Sequence, residues 1–200
     1  MVSTLIKIKH TFPGLWKLVE KVNGSLFSLL YKNPKEITKR VIVDYENGDF
    51  KYSIVEKNDI PQLIAFRKRQ KFEYLKYFDP HRFDKETLEA LIENKAYSLM
   101  KITEKSSDTI VGYFFIRCFL VGKAFHGLIT DQEYVNRGLG TTMWQISMKI
   151  CSQMGVRMFA TVSKFNIPSL KSASNATQVR KVNKLDNDFL LIECYPKKTS

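Results

Sequence analysis

Apolar residues recur along the chain at spacings that each point to an element. Thr109 to Val121 is nearly continuously apolar, as a central strand covered on both faces should be, and Tyr97 to Thr103 reads as a neighbouring strand. Gly122-Lys123 turns the chain into another extended apolar run, Phe125 to Thr130. After two closely spaced glycines, Leu139, Met143, Ile146 and Ile150 form one stripe of an amphipathic helix that stops at Gly155, a suitable C-cap. Val156 to Val162 reads as a further buried strand, and Pro168 begins a short helix. Val179 to Leu185 and Phe189 to Tyr195 read as a closing hairpin around Asp186-Asn187-Asp188.

The front of the chain is patterned differently. In residues 1–40, Leu15, Leu18, Val19, Val22, Leu26, Leu29 and Leu30 recur at helical spacing among many lysines, with Gly24 weakening the helix. This basic amphipathic extension is read in two ways: a helix docked on its own domain or on a dimer mate, or a peripheral membrane attachment. Val41 to Tyr45 and Phe50 to Val55 are β-rich, and Asn47-Gly48 between them supplies the positive φ angles of a tight hairpin, so the main domain is expected to span 41–200. Asn58 or Asp59 can cap a helix with Pro61 in its first turn and Leu63, Ile64 and Phe66 inward. Asp84 can cap a second through Leu88, Leu91 and Ile92. Between the two lies an aromatic and basic segment, Phe72 to Phe83.

The chemistry concentrates in Val135-Asn136-Arg137-Gly138-Leu139-Gly140-Thr141-Thr142. Strand, glycine turn and helix together suit an anionic diphosphate. Glycines let the backbone turn sharply, and the free N–H groups of a helix's first turn point outward at the positive end of its dipole.

This block, preceded by Leu128-Ile129-Thr130-Asp131-Gln132-Glu133-Tyr134, resembles motif A of the GCN5-related N-acetyltransferases, in which an apolar strand leads to Gln/Arg-x-x-Gly-x-Gly/Ala. Asn166-Ile167-Pro168-Ser169-Leu170 resembles that family's motif B. Val135 stands where the family usually has Gln or Arg. The resemblance covers roughly residues 41–197 and implies an α/β fold with a mixed central sheet, flanked by helices and opened by a splayed strand pair, here 124–131 against 156–162.

It also implies acetyl-CoA as acyl donor and a primary amine of a small molecule as acceptor; the alternative, raised by the departures at Val135 and Ala173, is a non-catalytic CoA-binding or partner-binding module of the same fold. The backbone at Ile129 and Asp131 would bind the pantetheine arm, and the Ile129 amide would stabilise the oxyanion. Arg137, Gly138, Leu139, Gly140, Thr141 and Thr142 would cradle the diphosphate, and Asn166 and Ser169 would touch the pantetheine or adenosine side. The family's usual acid, a Tyr shortly after motif B, falls on Ala173, which leaves that role to Tyr134, Tyr195 or solvent. For the general base, His126 and Asp131 are candidates, with Glu133 beside them. Tyr74, Tyr77, His81 and Arg82 are expected to line the acceptor pocket, and aromatic rings beside Arg would suit a nucleotide-linked amino sugar.

Composition narrows the setting. Two hundred residues, 44% of them hydrophobic, suffice for one core. Cys118, Cys151 and Cys194 are an odd number in apolar segments, which fits reduced thiols and a cytoplasmic location. His10, His81 and His126 lack metal-ligand spacing, so no metal site is expected. No apolar run has the length of a membrane span. The net charge of +12 favours anionic partners, whether nucleic acid, an acidic membrane face or phosphorylated small molecules, and charge alone does not choose among them; no nucleic-acid motif accompanies it.

Overall fold

The computed structural model describes residues 13–197 apart from Lys32 and Asn47; the side chains of residues 13–18 and of Lys21 also lie outside the description. Helices α1 (Pro13–Leu30) and α2 (Pro34–Ile42) come first. They lead to β1 (Phe50–Ile54), α3 (Ile60–Arg69), the short α4 (Phe72–Leu75) and α5 (Lys85–Glu93). Strands β2 (Tyr97–Glu104), β3 (Thr109–Phe119) and β4 (Lys123–Thr130) follow, then α6 (Leu139–Met154), β5 (Arg157–Ser163), α7 (Ile167–Ala176), β6 (Gln178–Lys184) and β7 (Phe189–Tyr195).

These strands form one seven-stranded mixed sheet in the order β1-β2-β3-β4-β5-β7-β6. Every neighbouring pair is antiparallel except β4 and β5, which are parallel. Alternation along β3 sends Phe114, Ile116 and Cys118 into a core beneath α1, α2, α6 and α7, and Tyr113 and Phe115 into a second core beneath α3 and α5. The strand is buried on both faces, which explains its uninterrupted apolar run. The mixed α/β fold flanked by helices is the one expected.

One expected strand is absent. Val41 and Ile42 end α2, and Val43–Tyr45 form a 3-10 turn, so no strand precedes β1 among the described residues. Asn33 caps α2 by accepting from the Lys35 amide at 3.0 Å, and Pro34 occupies the first turn. Ile37 and Val41, four residues apart, are both 1% exposed. A β-branched run favours strand by local propensity, but core burial at helical spacing overrides it. The Asn47-Gly48 turn expected to close that hairpin lies partly outside the described residues.

α1 packs on the end of β3. Phe27 is fully buried, Asn23 Nδ2 donates to the Cys118 carbonyl at 2.9 Å, Tyr31 Oη donates to the Leu120 carbonyl at 3.2 Å, and Glu20 pairs with Arg117 at 3.0 Å. Its outer face exposes Val19, Val22, Leu26, Leu29 and Leu30. Leu15 and Leu18 of the same stripe have side chains outside the description. No helix among the described residues is long and apolar enough to cross a membrane.

At the opposite end of the sheet, β6 is an edge strand exposed at every residue, with Arg180, Lys181 and Lys184 on it. An ion triad clips it in place. Glu193 on β7 is 1% exposed and accepts from Arg157 Nε on β5 and Arg180 Nη2 on β6, both at 2.6 Å. The Arg157 hydrogen bond foremost holds the Glu193 carboxyl down at about 2. Because that value lies below the unfolded one, the stabilisation is complete above about pH 4.5 and fades as pH falls toward about 2. Glu193→Gln is therefore expected to lower the unfolding free energy by about 1–3 kcal/mol at pH 7. Denaturant titrations should show the gap from the unaltered chain closing through that acidic window.

Candidate functional site

β4 and β5 pair only at their first three positions, Lys123↔Arg157, Ala124↔Met158 and Phe125↔Phe159. Beyond them β4 stays on β3 as far as Gly112↔Thr130, and β5 stays on β7 as far as Ser163↔Phe189. Each strand is thus held on its outer edge while the inner edges part. The wedge opens a cleft of about 650 Å³ lined by residues 126–130 of β4, residues 160–162 of β5, the first turn of α6, the start of α7, and residues 73, 74, 77 and 78 around α4.

The glycine turn stands at the mouth of that wedge. Gly138 has φ +79°, the left-handed region, and caps α6. A Cβ there would meet nothing within 4 Å, so the requirement is conformational rather than one of space. The Thr142 amide bonds the Gly138 carbonyl at 3.1 Å, which leaves the amides of Leu139, Gly140 and Thr141 ahead of any intrahelical acceptor. A Cβ at Gly140 would lie 3.5 Å from the Cβ and Oγ of Ser172, so α7 rests against this turn. Asn166 caps α7, its Oδ1 accepting from the Ser169 amide at 3.2 Å.

Ile129, Gly138, Leu139, Gly140, Thr141, Asn166 and Ser169 all line the cleft. Arg137 and Thr142 do not. The Arg137 guanidinium lies over the Tyr134 ring at 4.7 Å, and Thr142 Oγ1 turns back to donate to the Gly138 carbonyl at 3.4 Å. Val135 lines the cleft without offering it a polar group.

The two base candidates fare poorly. His126 lies at the apex of the wedge, 5% exposed, its ring 4.3 Å from that of Trp144, and neither ring nitrogen has a hydrogen-bond partner. Burial pushes its imidazole down to about 3, so at neutral pH it stays uncharged and binds a proton weakly. Asp131 is 3% exposed and lies outside the cleft lining. Its carboxylate accepts from Arg69 Nε at 2.7 Å, Gln70 Nε2 at 3.0 Å and the Glu133 amide at 3.0 Å, which ties β4 to α3 rather than serving a reaction.

Of the acceptor candidates, Tyr74 and Tyr77 line the cleft while His81 and Arg82 do not. The His81 ring stacks on Phe83 at 4.7 Å with Nε2 2.9 Å from Tyr113 Oη, and Arg82, 87% exposed, pairs with Asp84 at 3.0 Å. Ala173 is fully buried in the core. Tyr134 lines the cleft and donates to Glu104 Oε2 at 2.8 Å, a bond that raises its pKa; Tyr195 lies on β7, away from the lining.

Sequence reasoning passed over Glu73, Trp144 and Lys171. Glu73 is the sole carboxylate among the described residues lining the cleft, and it sits between aromatic residues already singled out. Lys171 shares a helical face with Pro168 and Asn175, a periodicity that could have placed it. Among the described residues no group of three or more His, Cys, Asp or Glu is arranged to hold a metal ion.

A sequence profile described as the acetyltransferase (GNAT) family matches residues 63–173. Solved structures resemble the chain at low identity. The GNAT domain of an S. lividans protein, PAT, is 13% identical with a TM-score of 0.63, over 73% of this chain and 90% of that one. A spermidine N-acetyltransferase from Vibrio cholerae, in complex with CoA and spermine, is 12% identical with a TM-score of 0.59, over 74% and 94%. A ribosomal-protein-S5-alanine acetyltransferase from Vibrio fischeri is 14% identical with a TM-score of 0.61, over 76% and 96%. A search of curated proteins found no match.

The glycine geometry predicts that Gly138→Ala costs about 1–2 kcal/mol of stability through its positive φ. Gly140→Ala, whose Cβ meets ordinary contacts, should cost less than about 1 kcal/mol. Urea unfolding of both variants measures the difference.

Proposed function

This chain belongs to the acetyltransferase (GNAT) family, and on that premise we propose that it moves the acetyl group of acetyl-CoA to a primary amine of a small molecule bound against Tyr74 and Tyr77. The observation that carries this reading is the parting of β4 and β5 with the first turn of α6 at its mouth. Unpaired strand edges suit the amide-bearing pantetheine arm, and the amides of Leu139, Gly140 and Thr141 suit its diphosphate. Bound there, acetyl-CoA supplies an activated acetyl thioester.

The chain's own residues do the rest by positioning. The main chain of Leu128 and Thr130 on the inner edge of β4 is assigned to the pantetheine arm and the acyl carbonyl oxygen, because the Asp131 amide bonds the Val111 carbonyl at 2.8 Å and alternation turns the Ile129 amide toward β3 as well. Glu73 is assigned to take the amine's proton through water, as the one cleft carboxylate free of an ion pair among the described residues. Tyr134, which holds its proton firmly, is the phenol nearest the turn in sequence and the candidate to return a proton to the departing thiolate.

For the acceptor, an amino sugar is supported by the aromatic faces of Tyr74 and Tyr77; Arg82, the cation that favoured a nucleotide-linked form, stands outside the cleft. The exposed apolar stripe of α1 supports a dimer contact and a peripheral membrane contact equally.

Purified protein given acetyl-CoA and a panel of primary amines should release free thiol with at least one of them. Gly140→Leu should abolish CoA binding in calorimetry while the fold persists. Glu73→Gln should lower kcat/KM by ~10²-fold with CoA affinity unchanged. Thiol release from no amine, or unaltered CoA affinity in Gly140→Leu, would overturn the proposal.

A further inference from the structure

The diphosphate and the further phosphate of CoA bring several negative charges to a turn whose helix offers only about half a positive charge. The side chains expected to supplement it are elsewhere. Position 135 holds Val, and Arg137 is spread over Tyr134.

Across the cleft, α7 presents a cation instead. Lys171 is the only Lys or Arg among the described residues lining the cleft. Its ammonium makes no hydrogen bond or ion pair with any described residue, unlike Lys164, which pairs with Asp188 at 2.7 Å, and Lys197, which donates to the Asn175 carbonyl at 2.7 Å. Its neighbour Ser172 sets the distance: the 3.5 Å approach to a Cβ at Gly140 brings this turn of α7 against the first turn of α6.

We propose that Lys171 is the phosphate-binding cation of this site, standing in from α7 for the side chain missing at position 135. The proposal rests on the acetyl-CoA reading above. Lysine suits the task as a mobile point charge on a flexible stem, able to follow a phosphate without the fixed fork that arginine requires. Because Lys171 is exposed, water screens its attraction, and the expected contribution falls below that of a buried ion pair.

Isothermal titration of the full chain with CoA, dephospho-CoA and pantetheine tests this. Lys171→Met should weaken CoA binding about three- to tenfold at low salt and leave pantetheine binding unchanged. The loss should shrink toward ~1 M salt, where screening is nearly complete. Lys171→Arg should restore most of the affinity, and Lys39→Met on α2, with the same change of net charge, should bind CoA as the unaltered chain does. A loss that persists with dephospho-CoA assigns Lys171 to the diphosphate; a loss that vanishes assigns it to the 3′-phosphate, and either supports the proposal. CoA affinity unaltered in Lys171→Met, or an equal loss for pantetheine, would overturn it while leaving the acetyl-CoA reading intact. No CoA binding by the unaltered chain would overturn that reading and this one together.

Discussion

A β-strand has two edges of hydrogen-bonding groups, and this fold satisfies only one edge of β4 and one of β5 over most of their length. β3 holds β4 to its last residue and β7 holds β5 to its last residue, while the two strands themselves part after Phe125 and Phe159. Main-chain donors and acceptors seldom stay unpaired once water is excluded. The inner edges therefore form a strand-shaped vacancy with a fixed direction.

Several contacts keep the wedge open at a constant width. The His126 and Trp144 rings meet at its apex, with Phe114 also against His126, so the strands cannot zip further without displacing a fully buried indole. Asp131 anchors the far end of β4 to Arg69 and Gln70 of the α3 region, and Glu193 binds β5, β7 and β6 into one block. His126 and Asp131, read as base candidates in the sequence, are among the residues doing this holding. A carboxylate with three donors around it contributes rigidity rather than reactivity.

What could be read beforehand was whatever local pattern encodes. The apolar run of β3, the paired glycines and the stripe of α6 each state their own geometry within a dozen residues. Val41 to Tyr45 misled because β-branched side chains favour strand locally, while the decision lay with Asn33, Pro34 and the burial of Ile37. Asp131 misled because its partners lie about sixty positions earlier in the chain. Tyr74 and Tyr77 reach the cleft while His81 and Arg82 turn away, a distinction that depends on how Phe83 and Tyr113 pack and that spacing does not carry. The helical face of Lys171 was legible, but the approach of its neighbour Ser172 to Gly140 on another helix was not.

The outermost strand brings one more consequence. β6 leaves a row of main-chain groups open to any passing extended segment, the arrangement from which sheets grow without limit. Arg180, Lys181 and Lys184 stand on that ribbon, so a second copy arriving alongside would be met by like charge before a single rung could form. Electrostatic repulsion at this rim opposes the sheet's growth beyond β6.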